Sequence, residues 1–208
     1  MSSTKLGYTS YQARTQWYMN HWGSPESVRG ALMEDGRTKL GIMRFAPAST
    51  SDRRHWTFGT NGMSERRMPC VAWPHGDPSH RLELIAYANN PCDWISDLLV
   101  ELAHYPFLHQ SVLAVGHTLP VSQKTGNLWS GYLLARPRFE PEEFNPLAIE
   151  IGFGSDWVFY AELLGLKADE LRVAIEIGGS EFFHKFVAGR RDSLLLDVER
   201  NSLLASEK

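Results

Sequence analysis

The chain has 208 residues and a mass of 23.6 kDa, room for one medium domain, with 43% of residues hydrophobic and 22% charged. That is apolar material enough for a core that needs neither disulfides nor metal, and it excludes a disordered chain, a collagen, a coiled coil and a disulfide scaffold. The 24 acidic and 21 basic residues leave a net charge of -3, which argues against a general nucleic-acid binder. No apolar run reaches the ~18 residues of a membrane helix. MSSTKLGYTS lacks the apolar stretch of a secretory signal. Two cysteines, Cys70 and Cys92, point to free thiols in a reducing, cytoplasmic compartment.

Taken in chain order, the first element is a helix over Tyr11 to Trp22, where Tyr11, Thr15, Tyr18 and Trp22 form one stripe before Gly23-Ser24-Pro25. Lys39 to Phe45 and His55 to Gly59 have strand character, and Asn61-Gly62 favours a tight turn. Residues 66–80 hold three prolines and read as a long loop. Arg81 to Ala88 is apolar on both faces apart from Glu83, which predicts a central strand. The strongest helix opens at Asn90-Pro91-Cys92-Asp93, with Asn90 as its cap. It carries Trp94, Ile95, Leu98, Leu99 and Leu102 on one stripe and stops at Tyr105, before Pro106.

A loop follows, then strands over Leu128 to Ala135, Leu147 to Phe153 and Asp156 to Leu164. Ala168 to Ile177 is a helix closed by Gly178-Gly179, and Ser180 caps a last one bearing Phe182, Phe183 and Phe186. The order of elements, mixed without strict alternation, predicts an α+β fold: a single domain with a central mixed β-sheet packed by helices. The division is an N-terminal helix and extension at 1–37, a main domain at 38–188 and a tail at 189–208.

Chemistry-bearing motifs are weak. IGFGSDW at 151–157 has half the glycine spacing of a dinucleotide loop but runs into a strand, where that motif needs a helix start. The histidines and cysteines miss zinc spacings. Ser64 sits in GMSER, short of a nucleophile elbow, and a Ser64–His117–Glu83 triad can be drawn without further support. The enzyme alternative is a metal-assisted hydrolase using His109, His117 and Glu83. The leading reading has no catalytic residue, no metal and no cofactor. Seven Trp and seven Tyr, some beside arginines in loops, fit a protein interface better.

Ordered segments then carry a resemblance. They are Thr60-Asn61-Gly62-Met63-Ser64, Arg81-Leu82-Glu83-Leu84 with Tyr87, Asp93-Trp94 with Leu98 to Tyr105-Pro106 and His109, and Gly116-His117-Thr118. Phe159-Tyr160-Ala161, Asp169-Glu170-Leu171 and Ala174-Ile175-Glu176 complete them. Over about residues 38–188 the chain resembles the Suppressor-of-fused family, as a bacterial single-domain member. His104, where a basic residue is expected, and the FGSDW approach to the closing strand depart from the pattern. The chain is also too short for the second domain of the animal proteins.

The resemblance implies a cytoplasmic, non-catalytic protein-binding module of immunity or regulatory type. It implies capture of a protein partner, a cognate toxin or a regulatory protein, partly by strand addition. It implies neither nucleic acid nor membrane as partner. On loops at one end of a rigid sheet, the expected partner-binding residues are Met63, Ser64, Arg66, His109, His117 and Thr118.

Overall fold

A computed structural model describes residues 10–48, 53–69, 81–120, 128–140, 147–151, 154–188 and 194–207. Helix α1 (Ser10–Trp22) leads into the hairpin β1 (Ser27–Leu32) and β2 (Lys39–Phe45), then β3 (Trp56–Asn61) and β4 (Leu82–Ala88). Helix α2 (Asp93–Leu108) follows, then β5 (Thr118–Pro120), β6 (Gly131–Ala135), β7 (Leu147–Ile151) and β8 (Gly154–Leu166). Helices α3 (Ala168–Ile177) and α4 (Gly179–Phe182) come last, α4 continuing into a π turn at Phe183–Val187. The sheet runs β1-β2-β3-β4-β8-β6-β5, with β7 paired to the start of β8.

The predicted α+β architecture with a central mixed sheet is what is observed. β4 is buried at all seven residues and lies parallel to β8, with Leu82 opposite Phe159. A strand buried on both faces needs apolar residues at every position, which is why its sequence reads as a run rather than an alternation. Leu82, Leu84 and Ala86 pack under α2 with Leu98, Leu99 and Leu102. Ile85 and Tyr87 point the other way, onto Tyr18, Trp22 and Tyr160 beneath α1. Leu133, Leu164, Ala174 and Phe182 form a third cluster under α3 and α4.

Several local expectations change. Residues 27–32 form an edge strand that the sequence does not announce, because its side chains alternate between two wet faces rather than between core and water. Helix α2 begins at Asp93 behind Cys92, not behind Asn90, and runs through Pro106 to Leu108. Pro106 is buried in the core there, and its carbonyl is taken by Ser111 N at 2.9 Å, so packing outweighs the steric preference that would end the helix at Tyr105. Asn61-Gly62 makes no hairpin. Gly62 has φ 122° and passes so close to β2 that a Cβ would sit 2.1 Å from the Lys39 carbonyl oxygen, and a short 3-10 turn, Met63–Glu65, follows.

The division at 37 and 188 has no counterpart in the packing. α1 and β1 join the sheet, and the tail threads across it. Leu196 N donates to the Tyr87 carbonyl, and Trp129 Nε1 donates to the Leu196 carbonyl, both at 2.8 Å. Part of the 66–80 loop, and with it Cys70, lies outside the described residues, as does Phe153. No helix among the described residues is long and apolar enough to cross a membrane.

Candidate functional site

Among the described residues, the sequence-marked positions fall at two places, one closed and one open. The closed one centres on Glu83, fully buried on β4. One carboxylate oxygen accepts from the Gly62 and Ser64 amides at 3.0 and 3.1 Å and from the Ser64 hydroxyl at 2.6 Å; the other takes the Thr60 hydroxyl at 2.6 Å. Arg14, on α1 and also fully buried, pairs with Glu83 at 3.2 Å, donates to Asn61 Oδ1 at 2.8 Å and reaches Glu65. Burial opposes its charge, yet Glu83 and Glu65 hold the guanidinium above its ordinary value. The bonds around Glu83 hold α1 and the 62–65 turn to the sheet.

The open place is a groove of about 390 Å³ beside β5. Tyr105, Ser111, Val112 and Leu113, at and beyond the end of α2, line one wall; Ala174, Ile175, Gly178 and Gly179 line the other. His117, Thr118 and Leu119 lie between them. The chain reaches β5 through a tight turn in which His117 N bonds the Ala114 carbonyl at 3.0 Å and Gly116 takes φ 91°, as a type II turn requires. Gly116 N and the His117 carbonyl both bond Leu134, so two residues oppose one and the strand is bulged.

Alternation from that bulge turns Leu119 toward Tyr132 and leaves the Thr118 N–H and C=O facing the groove. Gly116 and Gly179 touch backbone to backbone: a Cβ on Gly179 would lie 2.3 Å from the Gly116 carbonyl oxygen. The rim is apolar, with Val115 exposed and Ile175 exposed to 66%.

The six sequence-marked residues separate accordingly. Met63 and Ser64, at 1% and 0% exposure, are corrections: they belong to the core and the Glu83 cluster, and neither presents surface to a partner. Arg66 is part-exposed but engaged, paired with Glu34 and lying 4.4 Å from the Phe107 ring centroid. The His109 ring lies tilted against Tyr105, centroids 4.4 Å apart, just outside the groove. His117 and Thr118 line it, with His117 Nδ1 3.1 Å from the Val112 carbonyl oxygen.

The drawn triad does not assemble. Ser64 and Glu83 are buried at β3–β4, and β8 and β6 separate them from His117 beside β5. The same separation keeps Glu83 from His117, His109 ends α2 on the opposite face of the sheet from Glu83, and the described residues contain no group of three metal-ligating side chains. The sequence reading missed Tyr105, Val115 and Ile175. Ile175 was detectable, as an apolar residue between Arg172 and Glu176 on a helix whose buried positions are Glu170 and Ala174.

No curated protein matches the chain in sequence. A family model described as Suppressor of fused protein (SUFU) matches residues 36–201. A chain of the Sufu–Fu complex crystal structure superposes with a TM-score of 0.64 at 17% identity, covering 94% of this chain and 91% of that one. A SUFU homolog from Neisseria gonorrhoeae FA 1090 gives 0.62 at 14% identity, covering 93% and 94%. Drosophila Suppressor of Fused gives 0.64 at 16% identity over 94% of this chain, which spans 50% of that protein. At these identities the structural likenesses establish the fold.

Proposed function

The chain belongs to the Suppressor of fused family, and on that premise we propose that it is a non-catalytic protein-binding module, of immunity or regulatory type, that sequesters one partner protein. The observation that carries this reading is the groove along β5. A sheet edge whose Thr118 N–H and C=O have no partner among the described residues, walled by two layers and rimmed by Val115 and Ile175, suits an extended segment of another protein. Backbone pairing supplies affinity there, and the side-chain pockets supply selectivity. His117, Thr118 and His109 are the contact residues of the proposal, with Arg66 to one side.

The test is affinity purification from the native host, with mass spectrometry of whatever binds near one-to-one. A single partner whose binding falls at least tenfold with Ile175→Asp, and with His117→Ala, supports the reading. Both positions are exposed, so neither change threatens the fold. Absence of any stoichiometric partner, or a partner indifferent to both changes, overturns it.

A further inference from the structure

The far side of the sheet ends in β1, where five of six residues are exposed. Its backbone directions follow from the closing turn. Met33 N bonds the Thr38 carbonyl, and alternation from that pair turns Ala31, Arg29 and Ser27 toward β2. Val28, Gly30 and Leu32 therefore aim their N–H and C=O groups away from β2. Side chains alternate as well. Arg29 and Ala31 share the α2 face, where Arg29 meets Asp97 at 2.5 Å. Val28 and Leu32 flank Gly30 on the α1 face, 51% and 55% exposed.

We infer that this edge pairs with the same edge of a second copy, antiparallel about a two-fold axis through Gly30. An isologous contact needs a surface complementary to itself, and Val-x-Gly-x-Leu is apolar–small–apolar in both directions. In this register Gly30 faces Gly30 of the partner subunit, and Val28 faces Leu32 of the partner subunit. Each of these is a position whose backbone points outward, so the pairs are hydrogen-bonded ones. A shift of one residue would set Val28, Gly30 and Leu32 against positions whose N–H and C=O groups β2 already holds. A shift of two would leave one exposed apolar side chain of each strand unmatched.

Charge agrees. The Arg29–Asp97 pair meets its symmetry mate across the axis, two cations and two anions on one face, while the other face of the strand carries no charge. Among the described residues nothing lies within 4 Å of a Cβ built on Gly30, so the α1 face of the strand is bare at the axis. Edge strands that stay single are blunted with charge, proline or bulges; here the one charge, Arg29, is spent on Asp97, and the one bulge, where Glu26 N and Ser27 both face Arg44, lies at the start of the strand and leaves Val28 to Leu32 regular. Pairing of two six-residue strands is a small interface, so the dimer is a weak, concentration-dependent one.

Light scattering during size-exclusion chromatography tests this. From about 1 to about 200 µM the mass should rise from 23.6 kDa toward twice that value. Gly30→Pro removes an outward N–H and no bond to β2, so it should hold the protein monomeric throughout. Leu32→Lys should do the same through charge on the apolar face, and it serves if the proline variant is unfolded. In a Cys70→Ser/Cys92→Ser background, Gly30→Cys should cross-link two chains under mild oxidation, because facing Cα atoms of such a pair lie about 5.5 Å apart. Arg29→Cys, off the axis, should cross-link far less. A monomer at every concentration overturns the inference. So does a dimer that ignores Gly30→Pro and Leu32→Lys, or a Gly30→Cys chain that does not cross-link.

Discussion

Glu83 shows how one residue type supports opposite readings. In the sequence it is a lone carboxylate in an apolar strand, which equally suits a metal ligand, a triad member or a structural hub. Its partners decide, and they come from residues 14, 60, 62 and 64, which only the folded chain brings together. A carboxylate out of water is costly unless its oxygens find donors, and here one oxygen takes three hydrogen bonds and the Arg14 pair while the other takes the Thr60 hydroxyl. Removing it strands Arg14 and four donors together. Glu83→Ala is therefore expected to lower unfolding free energy by about 3–5 kcal/mol in urea titrations. A loss under about 1 kcal/mol would contradict the hub account.

Elements were legible in proportion to how they are buried. β2 and α3 appear in the sequence with their observed limits, because each shows the periodicity of an element with core contact. β1 and β5 did not appear. The first has no dry face, and the second has three residues. These two bound the sheet, so the interaction surfaces are the part that periodicity hides. Of the candidate site, His117 and Thr118 were found through the resemblance, while the opposite wall comes from α3 and α4, distant in sequence and brought near by β8.

The tail was equally unreadable, since its anchors are single side chains rather than a pattern. Arg200 pairs with the fully buried Glu170 of α3 and donates to the Gly165 carbonyl at 2.9 Å, and Leu203 N also bonds Glu170. Arg200→Ala leaves that carboxylate without its guanidinium and is expected to cost about 3–5 kcal/mol. Hydrogen exchange should show the loss first in α3 and residues 194–207; protection unchanged there would mean that the tail only rests on the fold.

Stability of the whole molecule should lean toward mild acid through Glu140. Its carboxylate accepts from Tyr87 and Trp22 at 2.8 and 3.0 Å. Burial still pushes it above its ordinary 4.5, these bonds pulling the other way. The folded chain thus holds this proton more tightly than the unfolded one. The contribution is full below pH 4.5 and is lost as pH rises through the raised value. Asp35 runs oppositely: hydrogen bonds from Thr38 and Arg37 hold it at about 2, so its contribution is present above 3.8 and lost on falling through about 2. The urea midpoint of Glu140→Gln should vary less between pH 5 and 7 than that of the parent; equal slopes would exclude Glu140 as the source.

The pairing of β4 with β8 has a consequence for synthesis. β4 is apolar on both faces and lies between β3 and β8, yet β8 belongs to the last third of the chain. While the ribosome is still making residues 90–153, β1 to β4 can form only as a meander whose innermost strand has a bare apolar edge. Such an edge adheres to its like, and a contact this distant in sequence is slow to close. The nascent half-protein is thus a natural client for chaperones that hold strands apart until translation is nearly done.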